Sequence, residues 1–196
     1  MAAEGDENEV ERLGKLNQLY LAIISRYKDY IQEKEGLSVA ELPTLVTPKD
    51  EAVVKKAVEI KGSFDGYTYE RDFYQAATAA FSFVRTGIED AVLPLEFWLS
   101  PKDTLTYTMG DMIDKNILLC SMLVALGNPS AKVLVKMKDE NFSAFVYCTF
   151  NDRIHTFNMS SGMKEFETKD LMIASLSLDD DTTAYEFNNQ AYLDIS

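Results

Sequence analysis

An α+β fold is predicted from three features of the 196-residue sequence. Up to Leu126 the apolar residues recur with a helical period, and from Ala131 onward the period drops to the twofold alternation of strands. Between the two regimes lies Asp111 to Leu126, apolar nearly all round, the pattern of a helix buried on every side. Helices followed by strands with short turns place a helical layer against an antiparallel sheet.

The elements follow in order. Residues 1–9 are acidic and small and read as a disordered tail. Leu13, Leu16, Tyr20, Ile23, Tyr27 and Tyr30 form one stripe of a helix that starts at Val10 and ends near Gly36, a C-cap residue. Leu19, Ile24 and Ile31 widen the stripe, which suits packing on a globular body. Residues 10–62 are therefore expected to form a helical extension packed on a core of 63–196. Pro43 and Pro48 mark a connection, and Thr47 with Pro48 resembles an N-cap followed by proline at the first helical position. A short helix then runs to Lys61, and Gly62 to Gly66 turns. Tyr69 to Gly87 is a strong helix with Phe73, Ala76, Ala77, Ala80, Phe81 and Val84 on one side. Pro94 interrupts the next stretch, and Ser100 to Thr104 reads as a loop. Gly127-Asn-Pro129 stops the central helix. Residues 131–137, 142–150, 153–159 and 183–187 read as strands, with Asn151-Asp152 as a tight hairpin turn.

Composition excludes several classes. With 46% apolar and 26% charged residues the chain is globular, and 19 basic against 32 acidic residues give a net charge of −13. Such a balance argues against nucleic acid or an anionic membrane as partner. No stretch approaches a membrane span, and no basic, apolar leader opens the chain, so a cytoplasmic protein is expected. Cys120 and Cys148 lie in apolar sequence, make no metal-ligand spacing and read as buried thiols. Asp179-Asp-Asp181 lacks the spaced ligands of a calcium loop and reads as a solvated turn. Neither a metal nor another cofactor is expected.

Three segments carry a resemblance. Phe81-Ser-Phe-Val-Arg85 is followed by Trp98-Leu-Ser-Pro-Lys-Asp-Thr-Leu105. Gly110-Asp-Met-Ile-Asp114 opens an aliphatic run ending Ala125-Leu-Gly127. Ser143-Ala-Phe-Val-Tyr147 precedes a turn and Arg153-Ile-His-Thr-Phe-Asn158. In this order they resemble the transglutaminase-like family of the papain-like cysteine-enzyme fold, over about half of the chain. The resemblance implies a nucleophilic cysteine at the N-terminus of the central helix, a histidine on the following strand and an acid or amide that orients it. A helix N-terminus favours a thiolate, and the imidazole shuttles its proton. Here the nucleophile position is Met112, the base position is Ser143 and the orienting position is Asn158. A thioether has no proton to lose, and serine is no base at neutral pH.

The reading that follows is a transglutaminase-like protein without cysteine catalysis, acting as a binding module for a protein or peptide. Its cleft would be lined by Trp98, Tyr107, Asp111, Met112, Asp114, Ser143 and Asn158, with Asp111 capping the helix and Asp114 answering its dipole. One alternative is an enzyme with a different acyl-transfer or hydrolase chemistry around Asp111, Asp114, Ser143 or Asn158. Another is a structural protein that self-associates through the tyrosine-rich stripe. A monomer or weak homodimer is expected. On regular strands Cys148 faces away from Ser143, and His155 faces away from Asn158.

Overall fold

The computed structural model describes residues 3–35, 41–91, 98–138, 141–179 and 181–195. It divides into two compact units. The first contains α1 (Ala3–Arg26) and α2 (Lys28–Glu35). The helix starts at Ala3, well before Val10, so most of the expected tail is helical. Hydrogen bonding runs through Tyr27, whose N–H is shared between the carbonyls of Ile23 and Ile24, while its own carbonyl accepts from Ile31. The expected cap at Gly36 lies outside the described residues, as does Pro94.

The second unit is the body. It contains α3 (Leu42–Leu45), α4 (Glu51–Lys61), α5 (Tyr69–Gly87), α6 (Pro101–Tyr107), α7 (Met112–Ala125) and α8 (Lys169–Ala174). A six-stranded antiparallel sheet joins them: β3 (Lys132–Lys138), β4 (Asn141–Phe150), β5 (Arg153–Asn158), β6 (Gly162–Phe166), β7 (Thr182–Phe187) and β8 (Tyr192–Asp194), in spatial order β6-β5-β4-β3-β7-β8. A two-residue parallel bridge links β1 (Glu89–Asp90) to β2 (Met109–Gly110) ahead of α7. Apart from α8, which lies between β6 and β7, the helices precede the sheet, the α+β arrangement the sequence predicts. Residues 42–61 belong to the body rather than to an extension, because Val53 and Ala57 of α4 are buried in its core. The cap of α4 is Asp50, whose carboxylate accepts from the Ala52 N–H at 2.9 Å; Thr47, expected there, lies three residues too early. Ser100-Pro101, read as a loop, instead starts α6, with Ser100 accepting from the Asp103 N–H.

α7 is buried along most of its length, including Ile117, Leu118, Leu119, Cys120 and Leu123. It lies with α4 and α5 on one face of the sheet, against Ala144, Val146, Cys148, Phe150 and Phe157. Its last carbonyls are met from afar: the Lys61 ammonium donates to Ala125 at 2.9 Å, and the Tyr67 hydroxyl to Leu126 at 2.8 Å. Just beyond, the Asn128 amide donates to the Thr149 carbonyl at 2.9 Å, which fixes the C-terminal end of α7 at the β4–β5 hairpin. There Asn151 and Asp152 both have positive φ, 50° and 59°, as a two-residue hairpin of matching twist requires.

The other face of the sheet buries Leu134, Phe145, Tyr147, Ile154 and Met172, the last from α8. Glu186, fully buried, accepts there from the ammonium groups of Lys132 at 2.6 Å and Lys169 at 2.7 Å and from the Tyr147 hydroxyl at 2.5 Å. Burial alone would raise the Glu186 carboxyl; the two lysines and the tyrosine outweigh it and hold it below the ordinary value. Stability from such a group is present above its unfolded value and is lost as pH falls through the folded one. Glu186→Gln is expected to cost about 2–3 kcal/mol at pH 7, less than a fully buried pair because both lysines can turn to water. The difference from the parent should shrink on acidification. Urea unfolding at pH 7 and pH 4 checks both parts.

Candidate functional site

The N-terminus of α7 is built around one carboxylate. Asp111 caps the helix, accepting from the Asp114 N–H at 2.9 Å, and Asp114 returns the bond from the Asp111 N–H at 2.9 Å, a reciprocal capping box. The second oxygen of Asp114 accepts from the Leu99 N–H at 2.7 Å, which ties the Trp98 segment to the helix. Asp114 is fully buried. Burial pushes its carboxyl up to about 6; the two N–H donors oppose that shift and the Asp111 charge adds to it. Gly110 is required here, because a Cβ would sit 2.9 Å from that of Asp114. Lys115, also buried, reaches Asp90 of β1 at 2.5 Å. Gly-Asp-x-x-Asp is therefore a packing and capping device in this chain, and both Asp114 oxygens are occupied.

Met112 occupies the first helical position and packs, half-buried, on the edge of the core, as Trp98 does. Tyr107 is exposed at the end of α6. α7 ends beside Thr149, and its 14 residues span roughly 20 Å, the length of about six strand residues. Ser143 is six residues back along β4 from Thr149, on the face away from α7. The β3–β4 register is unbroken from Asn141 to Tyr147, and Phe145 and Tyr147 belong to the core beneath α8, whereas Ala144 and Val146 face α7. Ser143 alternates with the former, beside Lys136, and therefore does not meet Met112. Asn158 shares its fault: it alternates with Phe157, which faces α7, and its side chain accepts from the N–H groups of Ser160 and Ser161 to close a turn. Of the seven predicted lining residues, Trp98, Asp111, Met112 and Asp114 gather at one helix end, and Ser143 and Asn158 lie across the sheet. The neighbouring positions on the α7 face are Ala144 and, extending the β4–β5 register, Met159, which packs on the edge of the same core as Met112.

The chain's one histidine lies elsewhere. His155 pairs with Cys148 on the α7 face, about four strand residues, or ~13 Å, from the level of Ala144. Its ring centre lies 4.9 Å from that of Tyr74, the planes tilted by 53°, in an open groove of about 460 Å³ that Arg71, Phe150, Arg153 and Glu165 also line. One ring nitrogen is 3.3 Å from the Phe150 carbonyl, and the other is 3.8 Å from Glu165, beyond hydrogen-bond reach. Sequence reasoning missed this groove because it joins α5 to a strand pair distant in the chain. Cys148 supplies no nucleophile to it: the thiol is buried and pushed up to about 12. Among the described residues no cluster of three or more His, Cys, Asp or Glu could hold a metal ion, and no helix is long and apolar enough to cross a membrane.

No protein-family model and no curated protein matches the chain. Solved structures do. LapG from Legionella pneumophila superposes with a TM-score of 0.51 at 16% identity, over 80% of this chain and 87% of LapG. A candidate cysteine protease from Cytophaga hutchinsonii gives a TM-score of 0.48 at 16% identity, over 84% of this chain and 58% of that protein. The likeness to LapG thus gives the chain a transglutaminase-like, papain-like fold. Sequence identity this low shows the fold alone.

Two outcomes follow from the geometry. Asp114 has a folded value above its unfolded 3.8, so its charge costs stability as pH rises from about 3.8 to about 6. Asp114→Asn, which can accept only one of the two N–H bonds, is expected to lose about 1–3 kcal/mol at pH 4 and to flatten the slope between pH 4 and 6. Urea midpoints across that range test it. Second, Met112→Cys with Ala144→His is expected to react with iodoacetamide at pH 6.5 about tenfold faster than Met112→Cys with Ser143→His. A faster reaction of the Ser143→His variant would place position 143, not 144, on the α7 face.

Proposed function

We propose that this protein is a catalytically inactive member of the transglutaminase-like fold that holds a peptide or protein segment at the N-terminal end of α7. The observation that carries the reading is the composition of that end. Met112 stands at the first turn, Ala144 and Met159 lie on the sheet face toward α7, and the histidine is about four strand residues, ~13 Å, along from Ala144. Cysteine-type acyl transfer needs a thiolate, a base within hydrogen-bond reach and an orienting group. None of the three is supplied by these side chains.

The same residues suit binding. Trp98, Met112 and Met159 are half-buried apolar groups on the rim of the core, and methionine adapts its shape to varied apolar partners. An acidic chain, at −13, favours segments that carry basic residues beside an apolar anchor. An altered hydrolase chemistry has less support. Asp114 is the one acid here whose carboxyl is raised, and backbone N–H groups fill both its oxygens.

The test is to label the methionine methyls with ¹³C and titrate peptides that combine Phe or Leu with Lys or Arg. Saturable shifts at Met112 and Met159 are expected, abolished by Trp98→Ala, with no turnover of peptide amides. Turnover that survives Met112→Ala and is lost in Asp114→Asn would overturn the reading in favour of an enzyme. Methyls that stay silent to every peptide would remove the site.

A further inference from the structure

The helical unit carries an apolar stripe that its own turns cannot cover. Leu13, Leu16, Tyr20, Ile23, Tyr27 and Tyr30 alternate at spacings of three and four, and each is between 39% and 63% exposed. We infer that this stripe is a self-association surface, on which a second copy of the chain packs antiparallel.

Three observations select that occupant. The first is a hollow of about 440 Å³ on α1 lined by Leu13, Leu16, Asn17 and Tyr20, with Gly14 at its rim. These four stand at i, i+3, i+4 and i+7, the set that receives one side chain of a facing helix in knobs-into-holes packing. A Cβ at Gly14 would meet nothing within 4 Å, so the rim is open. The second is self-complementarity. A twofold axis between Leu21 and Ala22 sets Leu13 opposite Tyr30, Leu16 opposite Tyr27 and Tyr20 opposite Ile23, so each stripe residue meets another and an isologous pair closes on itself. The register brings Tyr27 of the second copy over the hollow, where Asn17 is the polar partner that a buried phenol needs. The third is charge and area. Glu4, Asp6, Glu7, Glu9 and Glu11 crowd the start of the helix in sequence; a parallel pair would align them with themselves, and an antiparallel pair separates them. Six large side chains about half open, with Leu19 beside them, offer roughly 700 Å² per copy, so the pair buries roughly 1,400 Å², within the range of stable interfaces.

Sedimentation equilibrium of the full chain is expected to give twice the chain mass at tens of micromolar. Leu16→Glu and Tyr27→Glu should halve it without changing helical content by circular dichroism. Tyr27→Phe should keep the dimer at severalfold weaker affinity, and Tyr74→Glu, an exposed aromatic of α5, should leave the mass unchanged. Orientation is read by mixing Leu13→Cys chains with Tyr30→Cys chains under mild oxidation; the cross-link should form between the two variants and not between Leu13→Cys chains alone. A monomer at 100 µM, the result if the stripe folds against its own chain, overturns the inference. So does a dimer that survives both glutamates, or a cross-link of Leu13→Cys with itself.

Discussion

A single buried carboxylate holds together the part of the body on which the reading of function turns. Asp114 closes the first turn of α7 with Asp111 and holds the Trp98 segment through the Leu99 N–H. It also dictates the glycine before the cap. A side chain with three structural duties in one turn explains why the helix N-terminus keeps its shape around Met112 at its first position.

The sheet separates two kinds of interior. Toward α7 it is apolar and carries His155 at its far end; toward α8 it holds Glu186 with Lys132, Lys169 and Tyr147. The second face is what makes the strands hard to place from sequence. β4 is buried on both sides from Ala144 to Cys148, so the alternation that would mark its inward face is lost. A shift of one residue then exchanges faces, which is how Ser143 took the place of Ala144 and Asn158 that of its neighbours.

Where one signal dominated, the sequence was sufficient. The largely apolar run of α7, the amphipathic pattern of α5 and the Asn-Asp hairpin are single-segment features, and each lies where its pattern places it. The cap of α4 was legible in kind but not in position, since Thr47 and Asp50 are both good caps and only the local hydrogen bond decides. Ser100-Pro101 is itself a helix start that the shortness of α6 disguised. α8, β6 and β8 have too few residues for a period and exist because the sheet gives them a surface. The Tyr74–His155 groove depends on tertiary contact and leaves no local trace.

The distant caps of α7 also order events during synthesis. Lys61 and Tyr67, which satisfy Ala125 and Leu126, leave the ribosome before α7 does, so the helix can find its C-terminal partners as it emerges. The strands that cover its remaining side are made later, and the Asn128–Thr149 bond waits for the whole of β4. For the time needed to add about 30 residues, a few seconds at ordinary rates of translation, a largely apolar helix is covered on one side only. That interval, more than the finished fold, is when this chain is open to aggregation.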